Sequence, residues 1–146
     1  MRVKDINEVK KASLSGARRV LLLNGLFLLA AGGGALILDL VAYLTGGGPF
    51  GLSITQMSGA SIGFVEAHGL AAIIGWLLLR AARQAHVEPI WCATALAVHL
   101  LLGSANLVFW QDAFVRFDLV PMGVVTTACH LLFVLLEGSC LWRWRA

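Results

Sequence analysis

Three histidines, His68, His99 and His130, recur every thirty-one residues, each near the middle of a long apolar run. Imidazole ligates haem iron and other metals and exchanges protons near neutral pH. Three acids, Asp39, Glu66 and Glu137, stand in the same kind of run. An ionisable group in hydrocarbon costs about 2.5–3.5 kcal/mol even on insertion-based scales, so six of them in one small chain mark an intramembrane site. The plainer alternative is interhelical hydrogen bonding, the usual work of Asn24, Asn106 and Thr126 in such a setting, with Cys92, Cys129 and Cys140 as small apolar fillers.

Three chemistries suit these residue types. In the first, the site binds a cofactor or metal in membrane redox chemistry. His99 and His130 on neighbouring helices would ligate haem b axially, with His68 serving a quinone or a propionate; otherwise His68, His99 and His130 together would hold one metal such as Zn or Cu. In the second, the protein is a cofactor-free acid–base enzyme of isomerase or cyclase type acting on a lipophilic substrate. His99, His130, Glu137, Asp39 and Glu66 would then exchange protons, and Asn106 would orient. In the third, it is a proton relay or a non-enzymatic membrane subunit. The chain has no CxxCH, no CxxC and an odd number of cysteines, so neither covalent haem attachment nor a disulfide framework is expected.

The elements that must position these groups follow from composition. Hydrophobic residues make up 59% of the chain and the mean hydropathy is +0.83, well above the roughly 45–50% apolar content of soluble domains. Four runs reach the ~20 residues that cross a bilayer, near 20–44, 59–79, 89–110 and 119–142. The expected fold is an all-α integral membrane protein, a four-transmembrane-helix antiparallel bundle spanning 20–146, with a short amphipathic segment over 1–19 that ends at Ser15 and Gly16.

The net charge of +3 does not form a nucleic-acid patch, because the basic residues flank the spans. With four spans, ten of the eleven Lys and Arg fall on one face and only Arg116 on the other. The positive-inside rule then places both termini in the cytoplasm, the membrane being the cytoplasmic or inner one.

Helical phase assigns faces. Asn24, Leu28, Ala31, Ala35, Asp39 and Ala42 form one stripe of span one, and the neighbouring Gly32, Gly33 and Gly34 allow close approach of a helix or a flat ligand. In span two, Glu66 and His68 lie about 160° apart, so only one faces inward. Gly59, Gly63 and Glu66 share a face with GxxxG spacing, suited to a partner helix or a second copy. Cys92, Ala95, His99, Gly103, Asn106 and Trp110 stripe span three; Gly123, Thr126, His130 and Glu137 stripe span four. The uncharged, glycine-rich 45–58 connection is expected to fold back on the bundle mouth. Equal span lengths place the three histidines at one depth, with Asp39 and Asn106 about 10 Å to the outer side and Asn24 and Glu137 about 10 Å to the cytoplasmic side. The lipid bilayer and a lipophilic small molecule or quinone are the expected partners.

Overall fold

A computed structural model describes the backbone of residues 3–48, 51 and 61–145, and the side chains of 15–48, 51 and 62–144. The described residues are almost wholly helical and contain no strand. Four helices have the length and apolarity to cross a membrane. They are α1 (Val3–Thr45), α2 (Ser61–Ala82), α3 (Pro89–Val108) and α4 (Val120–Arg145).

Helix α1 runs unbroken through Ser15 and Gly16, where the sequence suggests a break. A mid-helix glycine costs about 1 kcal/mol, whereas unpaired backbone groups at a membrane boundary cost more, so the helix propagates. The amphipathic face expected over the first fourteen residues lies outside the described side chains. The helix stops where Gly46, at φ 67, turns left-handed and its N–H donates to the Ala42 carbonyl at 2.8 Å, an αL cap. Helix α3 begins where expected, with extended Glu88 ahead of Pro89. Between α3 and α4 the connection contains one π-helical turn, Gln111–Val115, whose Phe114 is buried. The ring of Phe114 lies against Gly123, where a Cβ would meet it at 2.5 Å. The foldback of the 45–58 connection and the Gly59 end of the GxxxG face lie outside the described residues, apart from 45–48 and Gly51.

The helices pack as two antiparallel hairpins, α1 with α2 and α3 with α4, while α2 and α3 scarcely touch. Glycine sets the first hairpin: a Cβ on Gly25 or Gly32 would stand 2.8 Å from backbone atoms of α2, and one on Gly75 would stand 2.5 Å from the Leu29 nitrogen. Helix α1 joins the hairpins by also contacting α3 and α4. The shared core lies toward the end that carries the termini, around Ala17, Leu21, Leu78, Ala82, Val87, Cys92 and Cys140. There Arg18 donates to the Gln84 carbonyl at 2.8 Å and closes the α2–α3 turn. Leu23, Ile37, Leu101, Val125 and Leu135 point outward and are exposed, the lipid-facing surface of an integral membrane protein.

The inner face of α1 departs from expectation at one position. Ala31 is exposed and Gly32 is buried in its place, because close contact with α2 pulls the buried stripe toward Gly25 and Gly32. Gly33 and Gly34 would meet nothing within 4 Å, so only the first of the three central glycines serves helix contact.

Candidate functional site

Four buried side chains from three helices form one hydrogen-bonded chain. His130 of α4 and His99 of α3 face each other through their Nδ1 atoms at 2.8 Å. His99 Nε2 lies 2.8 Å from Asn24 Oδ1 of α1. The Asn24 amide nitrogen donates to Oε1 of Glu137, back on α4. Asn24, His99 and Glu137 have no exposed surface, and His130 keeps 9%. Phe133 stacks on His99, and Phe27 meets both imidazoles, edge-on to His130. The cluster is therefore polar along its axis and apolar around it.

Each position follows from the helices. His99 and Gly103 share the buried stripe of α3, and Gly103 would carry a Cβ only 3.3 Å from that of His130, so the absence of a side chain there lets the imidazoles meet. Asn24 lies on the face of α1 that joins the hairpins. Glu137 is two turns from His130 on α4, and Asn24 bridges that span with an amide.

The chain has one direction. Asn24 spends its N–H on Glu137, so its carbonyl accepts from His99 Nε2–H. A neutral His99 then has a lone pair on Nδ1 and accepts from His130 Nδ1–H. Two atoms are left at the ends. Glu137 Oε2 is the buried side-chain oxygen without a partner among the described residues, and His130 uses only its Nδ1 in the chain.

His68 belongs elsewhere. Its Nδ1 pairs with Asp39 Oδ2 at 2.5 Å, the aspartate buried and the imidazole 31% exposed, with Phe64 stacked on the ring. Along α1, Asp39 lies about 22 Å from Asn24 at about 1.5 Å per residue. The three histidines are thus not at one depth. Unequal helix lengths and the offset between the hairpins place His99 and His130 beside Asn24, toward the termini, and His68 beside Asp39, toward the other end.

This corrects several expectations. A single metal on His68, His99 and His130 is not formed, and among the described residues no three His, Cys, Asp or Glu side chains are placed to hold one. Asp39 serves His68 instead of the central pair. Asn106 donates to Thr126 and Thr127 at 3.3 and 3.2 Å, and among the described residues these are its side-chain hydrogen bonds. Glu66 is exposed whereas His68 is half-buried, which makes the His68 side of α2 the inner one. Axial haem ligation by His99 and His130 also fits poorly: two nitrogens across one iron stand about 4 Å apart, twice a metal–nitrogen bond of about 2.0 Å, and these stand at hydrogen-bond distance, 2.8 Å.

Two of the three cysteines share the buried core near the same site. Cys92 of α3 and Cys140 of α4 both belong to it, and both are unbridged. For Cys92 the sequence signal was the His99 stripe, which already held it. Pairing His99 with His130 in antiparallel helices brings Cys92 level with the stretch after Glu137.

Asp39 and His68 form a separable unit, which gives a test of the two-site arrangement. His68→Ala is expected to leave the histidine nitrogen chemical shifts of His99 and His130 unchanged in solid-state NMR of labelled protein in lipid. A change at either would show that the two sites communicate.

No protein-family model, curated protein or solved structure matches the chain. Fold and site together define it as an all-α, four-helix integral membrane protein with a buried histidine–asparagine–glutamate cluster.

Proposed function

We propose that the protein is an acid–base device of the membrane, in which His130 exchanges a proton with a lipophilic molecule and Glu137 stores it. The observation that carries this reading is the one-way chain from His130 through His99 and Asn24 to Glu137. In the state described, His130 holds its proton on Nδ1, which leaves Nε2 as an acceptor, and Glu137 accepts. Rotating the Asn24 amide by half a turn reverses every link. A protonated Glu137 then donates to Asn24, Asn24 to His99 Nε2, and His99 Nδ1–H to His130 Nδ1, which leaves Nε2–H of His130 as a donor. The site has gained one proton, and His130 has changed from base to acid.

Two features support a store over a channel. Glu137 is fully buried whereas His130 keeps some surface, so the chain has one open end. Beyond His130, the hydrogen bonds described for Asn106 run to Thr126 and Thr127, and the one described for His68 runs to Asp39. The lipophilic nature of the molecule follows from the apolar surroundings of His130, Phe27 and Phe133. Cytoplasmic termini in an inner membrane remain the orientation that the basic residues favour.

Infrared spectroscopy of the reconstituted protein tests the store. A carboxylic acid band assigned to Glu137, absent in Glu137→Gln, is expected to exchange with deuterium about tenfold more slowly in His130→Leu, the kinetic equivalent of about 1.4 kcal/mol. Exchange at the wild-type rate in that variant would sink the proposal. A Soret band in the purified protein, lost in His99→Ala, would establish the haem reading in its place.

A further inference from the structure

We propose that the lipid-facing side of the first hairpin binds one anionic phospholipid, drawn from the leaflet at the end that carries the termini. On α2, Gly69, Ile73, Trp76 and Arg80 fall on one stripe at helical spacing. Along it the residues are in turn small, apolar, aromatic and cationic. Arg80 lies over the Trp76 ring, 5.0 Å from its centroid. In the turn that follows, the Arg83 N–H donates to the Arg80 carbonyl, an i to i+3 bond that sets Arg83 above Arg80. Trp76, Arg80 and Arg83 are all exposed. Ile74, Leu78 and Ala81 turn to the core shared with the second hairpin, so the stripe turns away from it.

Helix α1 supplies the other wall. Its Gly25 faces α2, and Asn24, to one side of that contact, meets α3 and α4. Arg19, Leu22, Leu26 and Gly33 lie to the opposite side. Arg18 is committed to the carbonyls of Gln84 and Ala85, which sets Arg19 level with the arginine end of the α2 stripe. Gly33 and Gly69 flank the contact of Gly32 with α2, and a Cβ on either would meet nothing within 4 Å, so the two leave a shallow notch between the helices at that depth.

Length and charge select the occupant. Gly69 and Arg80 are eleven residues apart, about 16 Å at about 1.5 Å per residue, and half of a hydrocarbon core is about 15 Å. The stripe is therefore one leaflet deep, the reach of an acyl chain below its headgroup, whereas a helix of a second copy would run on past the notch. No acidic residue lies within 15–38 or 67–87, so neither stretch sets a carboxylate against a phosphate at Arg19, Arg80 and Arg83. Guanidinium forks match phosphate oxygens, and basic residues at the membrane surface attract anionic lipid.

The test uses the full chain, reconstituted in equal parts of phosphatidylglycerol and phosphatidylcholine, moved to a mild detergent and weighed intact by native mass spectrometry. The wild-type chain is expected to retain phosphatidylglycerol about tenfold more often than phosphatidylcholine, the equivalent of about 1.4 kcal/mol. Arg80→Gln combined with Arg83→Gln should abolish that preference. Gly69→Leu, which fills the notch and leaves every charge in place, should lower retention, whereas Arg143→Gln, exposed at the end of α4, should not. Equal retention of the two lipids, unchanged retention in Gly69→Leu, or an Arg143→Gln effect as large as that of the α2 pair would each overturn the proposal. So would displacement of the lipid by water-soluble glycerol phosphate, or a disulfide joining two chains at Gly69→Cys, which would put a second copy on this face.

Discussion

Gly75→Ala is expected to force the first hairpin apart and to lower stability by about 1–3 kcal/mol, the usual cost of overpacking. The physical reason is that the new methyl group has no flexible neighbour to displace. It would stand 2.5 Å from the Leu29 nitrogen, 2.9 Å from the Gly25 carbonyl oxygen and 3.0 Å from the Leu28 carbonyl carbon, all backbone atoms of α1. Relief therefore requires moving a whole helix. Gly34→Ala is the matched control, since a Cβ there meets nothing and the change removes glycine's helix penalty of about 1 kcal/mol. Reversible unfolding in mixed micelles of dodecyl sulfate and a mild detergent reads both. The account of the hairpin fails if the two substitutions cost the same, or if Gly34→Ala is the worse.

Asn24→Leu is expected to cost about 2–4 kcal/mol by removing two interhelical hydrogen bonds and stranding their partners. Hydrogen bonds between membrane helices average about 0.6 and reach about 1.7 kcal/mol, and a buried polar group left unpaired adds about 1–3 kcal/mol. Both partners here, His99 and Glu137, are fully buried, so water cannot replace the amide. Adding Glu137→Leu removes one stranded group together with the bond it lost. The double variant should thus be less destabilised than the sum of the singles, with a coupling of about 0.5–3 kcal/mol. Strict additivity would mean that Asn24 and Glu137 do not act as a unit. In the proton reading, Asn24→Leu should also slow deuterium exchange at Glu137 as His130→Leu does, although Asn24 ionises in neither form.

The limits of sequence reasoning are visible in particular residues. His99, His130 and Glu137 were legible because an ionisable side chain in an apolar run has few reasons to be there, and the 3.6-residue period put each on an inward stripe. Asn24 carried the same signal but read as glue, since an amide does not titrate; its position between two titratable groups appears only once α1 is docked. Counting depth from span centres misplaces His68, because α1 is longer than its partners. The central glycines looked equivalent in the chain, and helix rotation alone distinguishes Gly32, pressed on α2, from Gly33 and Gly34.

Apolar content and run length thus determined by themselves that the chain is a four-helix membrane protein, because a bilayer accepts so few other solutions for such runs. Local period determined which residues face inward. Which inward residues meet was decided by the tertiary structure, through the offset between two hairpins: it separated His68 from His99 and His130 and inserted Asn24 between His99 and Glu137. An offset of a few residues along a helix axis changes every side-chain partner while leaving each helix's own pattern intact, and for that reason the sequence pattern of single spans does not encode it.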